Sequence, residues 1–171
     1  MGAFAGMIGG MAKGRKRRKG ETFASEVRRQ FEPVADRLGL SEEETTARMA
    51  GVSEVKYVRG GLAYSWDCDT WEGHMWVRIV LDLDDARYFT SLSQLVTGTQ
   101  PKGNRMLLDN CRSWLVLQRA VESHTLWVER LHPHLIAPDA PNLILASGGK
   151  KARSAMPDTS QQRHCPKTDL A

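Results

Sequence analysis

Five aspartates are the first residues whose types and spacing could do chemistry. Asp67, Asp69, Asp82, Asp84 and Asp85 fall within one short stretch. Two or three converging carboxylates could hold Mg²⁺ for phosphoryl-transfer or nuclease work. Simpler duties compete, because Asp84 or Asp85 suits a helix cap and Asp67 and Asp69 begin a turn-rich polar loop. Transition metals have less to work with. His132 and His134 flank Pro133, while His74, His124 and Cys111 lie elsewhere without a closed ligand spacing. There is no Gly-x-Ser-x-Gly, no phosphate-cradling glycine loop and no Cys–His pair at a family spacing, so Cys111 reads as a packed thiol. The chain therefore reads as a non-enzyme that calls for no metal and no cofactor, with a metal-dependent nuclease as the minor alternative.

Recognition through surface contacts fits the residues better. All five tryptophans lie between positions 66 and 127. Trp66, Trp71 and Trp76 surround an acidic hairpin and, with Arg78, are the candidates for binding a protein partner, since large aromatics on a sheet mark partner sites when exposed. Trp76 falls on the strand face opposite the apolar stripe, so a second layer covers it or it faces outward. A separate candidate is the basic run Lys13, Arg15, Lys16, Arg17, Arg18 and Lys19, which could neutralise phosphates of nucleic acid or dock on an anionic surface. No aromatic is interleaved there to stack on bases, which leaves sequence-specific RNA recognition unsupported.

The charge is sorted along the chain. Residues 1–20 carry those six cations and no acid, residues 21–147 carry 13 Lys/Arg against 18 Asp/Glu, and residues 148–171 carry five against two. The net +4 thus describes the ends, while the segment able to fold is acidic. The expected organisation is a flexible basic arm at 1–20, one domain at 21–147 and a disordered basic tail at 148–171. Cys68, Cys111 and Cys165 form no CxxC and imply no disulfide framework, which fits a reducing cytoplasm. Residues 1–12 are apolar with the charges after them, the wrong order for a secretory signal, and no run is long enough for a membrane span. Translation starting at Met7 or Met11 is an alternative to Met1.

Elements follow from periodicity. Phe23, Val27, Phe31, Val34 and Leu38 make a helical stripe that Gly39 closes, and Ser41 with Glu44 resembles a capping box for a second helix reaching Ala50. Val55 and Tyr57, then Leu62, Tyr64 and Trp66, alternate around Gly60-Gly61 as a hairpin that sets Tyr57 opposite Tyr64 and Val55 opposite Trp66. Met75, Val77, Ile79, Leu81 and Leu83 alternate as the clearest strand. A helix is expected from Asp84 or Asp85 through Val96. Residues 105–121 read as a second hairpin, with a helix as the alternative. A last helix runs from Ser123 to Pro133, and Asn142–Ala146 reads as a short edge strand. The fold class is α+β: an antiparallel sheet of about five strands with helices packed on one face.

That element order, carried by FASEVRRQFEPVADRLGL, HMWVRIVLDL and RMLLDNCRSWLVLQRAV, resembles the class I type III secretion chaperones over roughly residues 22–135. The resemblance implies a small bacterial chaperone, an obligate homodimer that holds an extended partner segment on its sheet and performs no catalysis. An immunity or antitoxin-like protein that neutralises a partner by surface complementarity is the alternative. A nucleic-acid-associated protein using the basic arm is the next.

Overall fold

A computed structural model describes residues 16, 18–44, 52–99 and 107–153. Six antiparallel strands form one sheet in simple sequential order: β1 (Ser41–Glu43), β2 (Val52–Arg59), β3 (Leu62–Asp69), β4 (His74–Asp82), β5 (Ala86–Ser91) and β6 (Lys150–Arg153). Four helices accompany it: α1 (Phe23–Leu38), α2 (Leu92–Thr99), α3 (Trp114–Leu135) and α4 (Ala140–Ala146). The α+β class with an antiparallel sheet is as the periodicity predicts.

Helix α1 starts where its sequence allows it to. Thr22 accepts from the Ser25 amide at 3.2 Å and Ser25 Oγ accepts from the Thr22 amide at 2.8 Å, a reciprocal cap. Gly39 ends it in the left-handed conformation at φ 68°. The predicted stripe is the buried one: Phe23, Val27, Phe31 and Val34 enter the core. The β2–β3 hairpin has the expected register, with Val55 opposite Trp66 and Tyr57 opposite Tyr64. Gly61 is required at its turn, because a Cβ there would sit 2.1 Å from the Asp82 carbonyl oxygen.

Every second sheet residue faces the helices. Val55, Tyr57, Leu62, Tyr64, Trp66, Cys68, Met75, Val77, Ile79, Leu81, Ala86 and Tyr88 are buried on that side. Phe31 of α1 packs its ring 4.9 Å from both Tyr57 and Trp66, and α3 contributes Leu117, Val121, Val128, Leu131 and Leu135. Helices α2 and α4 complete the same layer through Leu95 and Ile144, so helices on one face is also the observed arrangement.

Several elements differ from expectation. Ser41–Glu43 is an edge strand rather than a helix start, its place set by pairing with β2 and by an Arg28–Glu42 ion pair; residues 45–50 of the expected helix lie outside the described residues. Asp84 and Asp85 form the β4–β5 turn instead of a cap, because Ala86, Tyr88 and Thr90 alternate inward and shape a strand; the helix begins only at Leu92. The second hairpin is absent from the described part of 105–121. Ser113 caps a helix whose amide partner is Val116, and the inward stripe from Leu117 to Leu135 outweighs the β-leaning Trp-Leu-Val-Leu run. Ser123 therefore lies inside α3, and Pro133 sits in its exposed last turn without ending it. Residues 142–146 belong to α4, with Pro141 in its first turn. The ordered part also passes position 147, since Lys150–Arg153 pair with β5 as a sixth strand.

Candidate functional site

The alternation that buries one sheet face leaves the other to side chains alone. Among the described residues all helices lie on the opposite side, so this second face is open. Strand pairing sorts its residues into rows that run across the sheet. One row is apolar: Val58, Ala63, Val80 and Phe89 lie opposite one another in turn on β2, β3, β4 and β5. At about 4.8 Å between strands, that row is roughly 14 Å long. Phe89 is 37 % exposed, and the other three are half-buried only by their neighbours.

The next rows are polar. Lys56, Ser65, Arg78 and Ser91 form one, and Glu54, Asp67 and Trp76 the other. Arg78 donates to Asp67 through Nε–Oδ2 at 2.8 Å and Nη2–Oδ1 at 3.1 Å, and reaches Glu54 at 3.5 Å. Glu54 also accepts from Ser65 Oγ. Asp67 is only 2 % exposed on this open face, covered by the side chains around it. Burial pushes its carboxyl above the ordinary range, and the Arg78 guanidinium offsets part of that rise.

The tryptophans separate. Trp66 points into the core at 0 % exposure, between Phe31 and His124, because its position on β3 has the helix-facing parity. It is removed from the surface candidates. Trp76 stands half-buried on the open face beside Asp67. Trp71 is 85 % exposed at the tip of the β3–β4 turn, where Asp69 Oδ1 accepts from the Trp71 and Glu72 amides at 2.8 and 3.1 Å. Trp76 and Arg78 thus share a surface, while Trp71 sits at its end. Of the basic run, Lys16, Arg18 and Lys19 are exposed, and Lys13, Arg15 and Arg17 lie outside the described residues.

The carboxylates do not converge. Asp67 is held by Arg78, Asp82 by Arg87, and Asp69 by turn amides. Among the described residues there is no group of three or more His, Cys, Asp or Glu side chains that could hold a metal ion. His132 and His134 diverge: His132 is buried with Nδ1 2.8 Å from the Tyr64 hydroxyl, and His134 is exposed. His124 is also buried, with Nδ1 2.9 Å from the Ala120 carbonyl oxygen and Nε2 3.3 Å from Asp109.

Two features escaped sequence reasoning. The apolar row joins residues from four strands, and only the strand registers reveal it. The second is a thiol contact: Cys68 on β3 and Cys111 before α3 have their sulfurs 3.2 Å apart beside a cavity of about 390 Å³. Their 43-residue separation carries no spacing signal. No described family, no curated protein and no solved structure matches this chain.

Proposed function

We propose that the chain is a non-enzymatic protein-binding module that receives an apolar segment of a partner protein on the open face of its sheet. The observation that carries this reading is the apolar row Val58–Ala63–Val80–Phe89, left uncovered by every described element. A row of that kind on a sheet surface contributes little to its own fold, and burying it against a partner is favourable. Lys56, Arg78, Glu54 and Asp67 border it with both signs of charge, a polar rim that would set register.

The edges of the sheet argue for docking on the face. Edge strand β1 has three residues with Glu42 and Glu43 engaged by Arg28 and Lys56, and edge strand β6 has four residues including Lys150, Lys151 and Arg153. Short, charged edges resist strand addition. Holding an extended partner segment on the sheet is the chaperone-like form of this reading, and neutralising a folded partner is its immunity-like form. The hairpin over 105–121 that entered the chaperone resemblance is helical from Trp114, so the open face supports the reading without help from that element.

The test is affinity capture from the source cells with the full chain and with two variants. Phe89→Glu alters the open face, and Leu126→Glu alters an exposed site on α3. Docking on the face predicts a bound protein that is lost with Phe89→Glu and retained with Leu126→Glu. Equal capture by both variants overturns it. Sedimentation of the wild-type chain identifies the case in which the occupant is a second copy.

A further inference from the structure

Two thiols far apart in sequence are held together by backbone pairing. Cys68 faces the helix side of β3, opposite Met75 of β4. The segment bearing Cys111 docks on the same end of β4, with the Met75 amide donating to the Asp109 carbonyl at 2.7 Å and the Cys111 amide donating to the Gly73 carbonyl at 2.8 Å. These bonds place the sulfurs 3.2 Å apart, so closing to a disulfide at about 2.05 Å takes an approach of about 1 Å. Both thiols are free.

A second observation gives the pair access to solvent. The 390 Å³ cavity beside it is lined by both cysteines together with Trp71, Arg112 and Trp114. Cys68 is buried and Cys111 only partly so, and a reagent in the cavity therefore meets Cys111 first. Burial pushes the Cys68 thiol up, and the neighbouring Cys111 adds to the rise. Arg112, also in the cavity lining, offers a cation to the carboxylates of a peptide disulfide.

We propose that Cys68 and Cys111 form a reversible disulfide, a modification site oxidised by a low-molecular-weight peptide disulfide that enters this cavity. The Cys111 thiolate attacks one sulfur of the reagent; its S–S bond breaks, one reagent thiolate leaves, and a mixed disulfide forms at Cys111. Cys68 then attacks Cys111 Sγ, passing its proton to the second departing thiolate. Two protein thiols become one disulfide, and the reagent disulfide becomes two thiols, taking up two electrons. The new bond ties the approach to α3 onto β3.

The probe is glutathione disulfide, applied in graded ratios with reduced glutathione to the full chain carrying Cys165→Ser, which confines the readout to the pair. After alkylation, intact mass and peptide mapping follow residues 68 and 111. The expected result is a linked 68–111 peptide, joint loss of both thiols, reversal by dithiothreitol and an unfolding midpoint raised on the order of 10 °C. Cys68→Ser should stop at glutathionylated Cys111, and Arg112→Glu should slow adduct formation several-fold. Continued alkylation of both cysteines at every ratio, or accumulation of a mixed disulfide alone in the chain retaining both, overturns the proposal without recourse to any variant of the pair.

Discussion

Arg78 grips the carboxylate of Asp67 with two hydrogen bonds, at 2.8 and 3.1 Å, on a sheet face that no described helix covers. The guanidinium lies more than half in solvent while the carboxylate is almost wholly buried. One partner thus shields the other. Arg78→Ala would take from the Asp67 carboxylate its guanidinium partner, and after discounting for the exposed guanidinium the expected cost is about 1–2 kcal/mol at neutral pH. Urea unfolding measures it, and a loss-free variant would contradict the pairing.

The same carboxylate predicts a pH dependence. Its folded-state pKa is raised, chiefly by burial. The folded chain therefore holds this proton more tightly than the unfolded chain. The stabilising contribution is complete below the ordinary Asp range, about 3.9, and is lost as pH rises through the raised value. Asp67→Asn removes this titration. The unfolding free energy of Asp67→Asn minus that of wild type should grow with pH across that window and then level off. A difference independent of pH, or one that shrinks, would contradict the burial.

Two tryptophans five positions apart should behave oppositely. Trp66→Ala empties a fully buried site against Phe31 and is expected to cost about 3–5 kcal/mol. Trp71→Ala changes an exposed turn tip and should stay within about 0.5 kcal/mol. Denaturant midpoints of the two variants separate these values.

His132 supplies a titration of opposite sign. Its pKa is lowered by burial first and by the nearby Arg59 second. The stability it carries is therefore full above the ordinary histidine value, about 6.5, and is lost as pH falls through the lowered value. His132→Gln keeps a group able to meet the Tyr64 hydroxyl but does not titrate. Between pH 8 and pH 5, wild type should lose more stability than this variant. Equal losses would contradict a buried neutral imidazole.

The residues that sequence patterns placed well are those with one strong period. Tyr57 and Tyr64 face each other because two glycines leave only one simple turn between alternating runs. Phe23 to Val34 form one face of α1 because the chain offers a single stripe between Thr22 and Gly39. Trp114–Val121 was ambiguous because bulky apolar residues satisfy both periods; the deciding inward residues, Val128, Leu131 and Leu135, lie downstream. Tyr88 and Phe89 fitted a helix with Leu92 until pairing with β4 sent them to opposite faces. Of the candidate site, the outward aim of Trp76 and Arg78 was legible from the β4 alternation. The inward aim of Trp66 was equally implied by its pairing with Val55, but its aromatic character drew it into the surface set. Neither the apolar row nor the Cys68–Cys111 contact was legible, since both join residues from separate strands and loops.

The central claim is that a partner protein occupies the open face, and site-specific photo-crosslinking in the source cells tests it most directly. A photoreactive residue is placed at position 89 on the open face and, separately, at position 126 on the outer side of α3, both exposed. Docking on the face predicts one discrete protein adduct from position 89, none from position 126, and loss of the adduct when Arg78→Glu is added. Adducts from position 126 alone, or the same adducts from both positions, would contradict it.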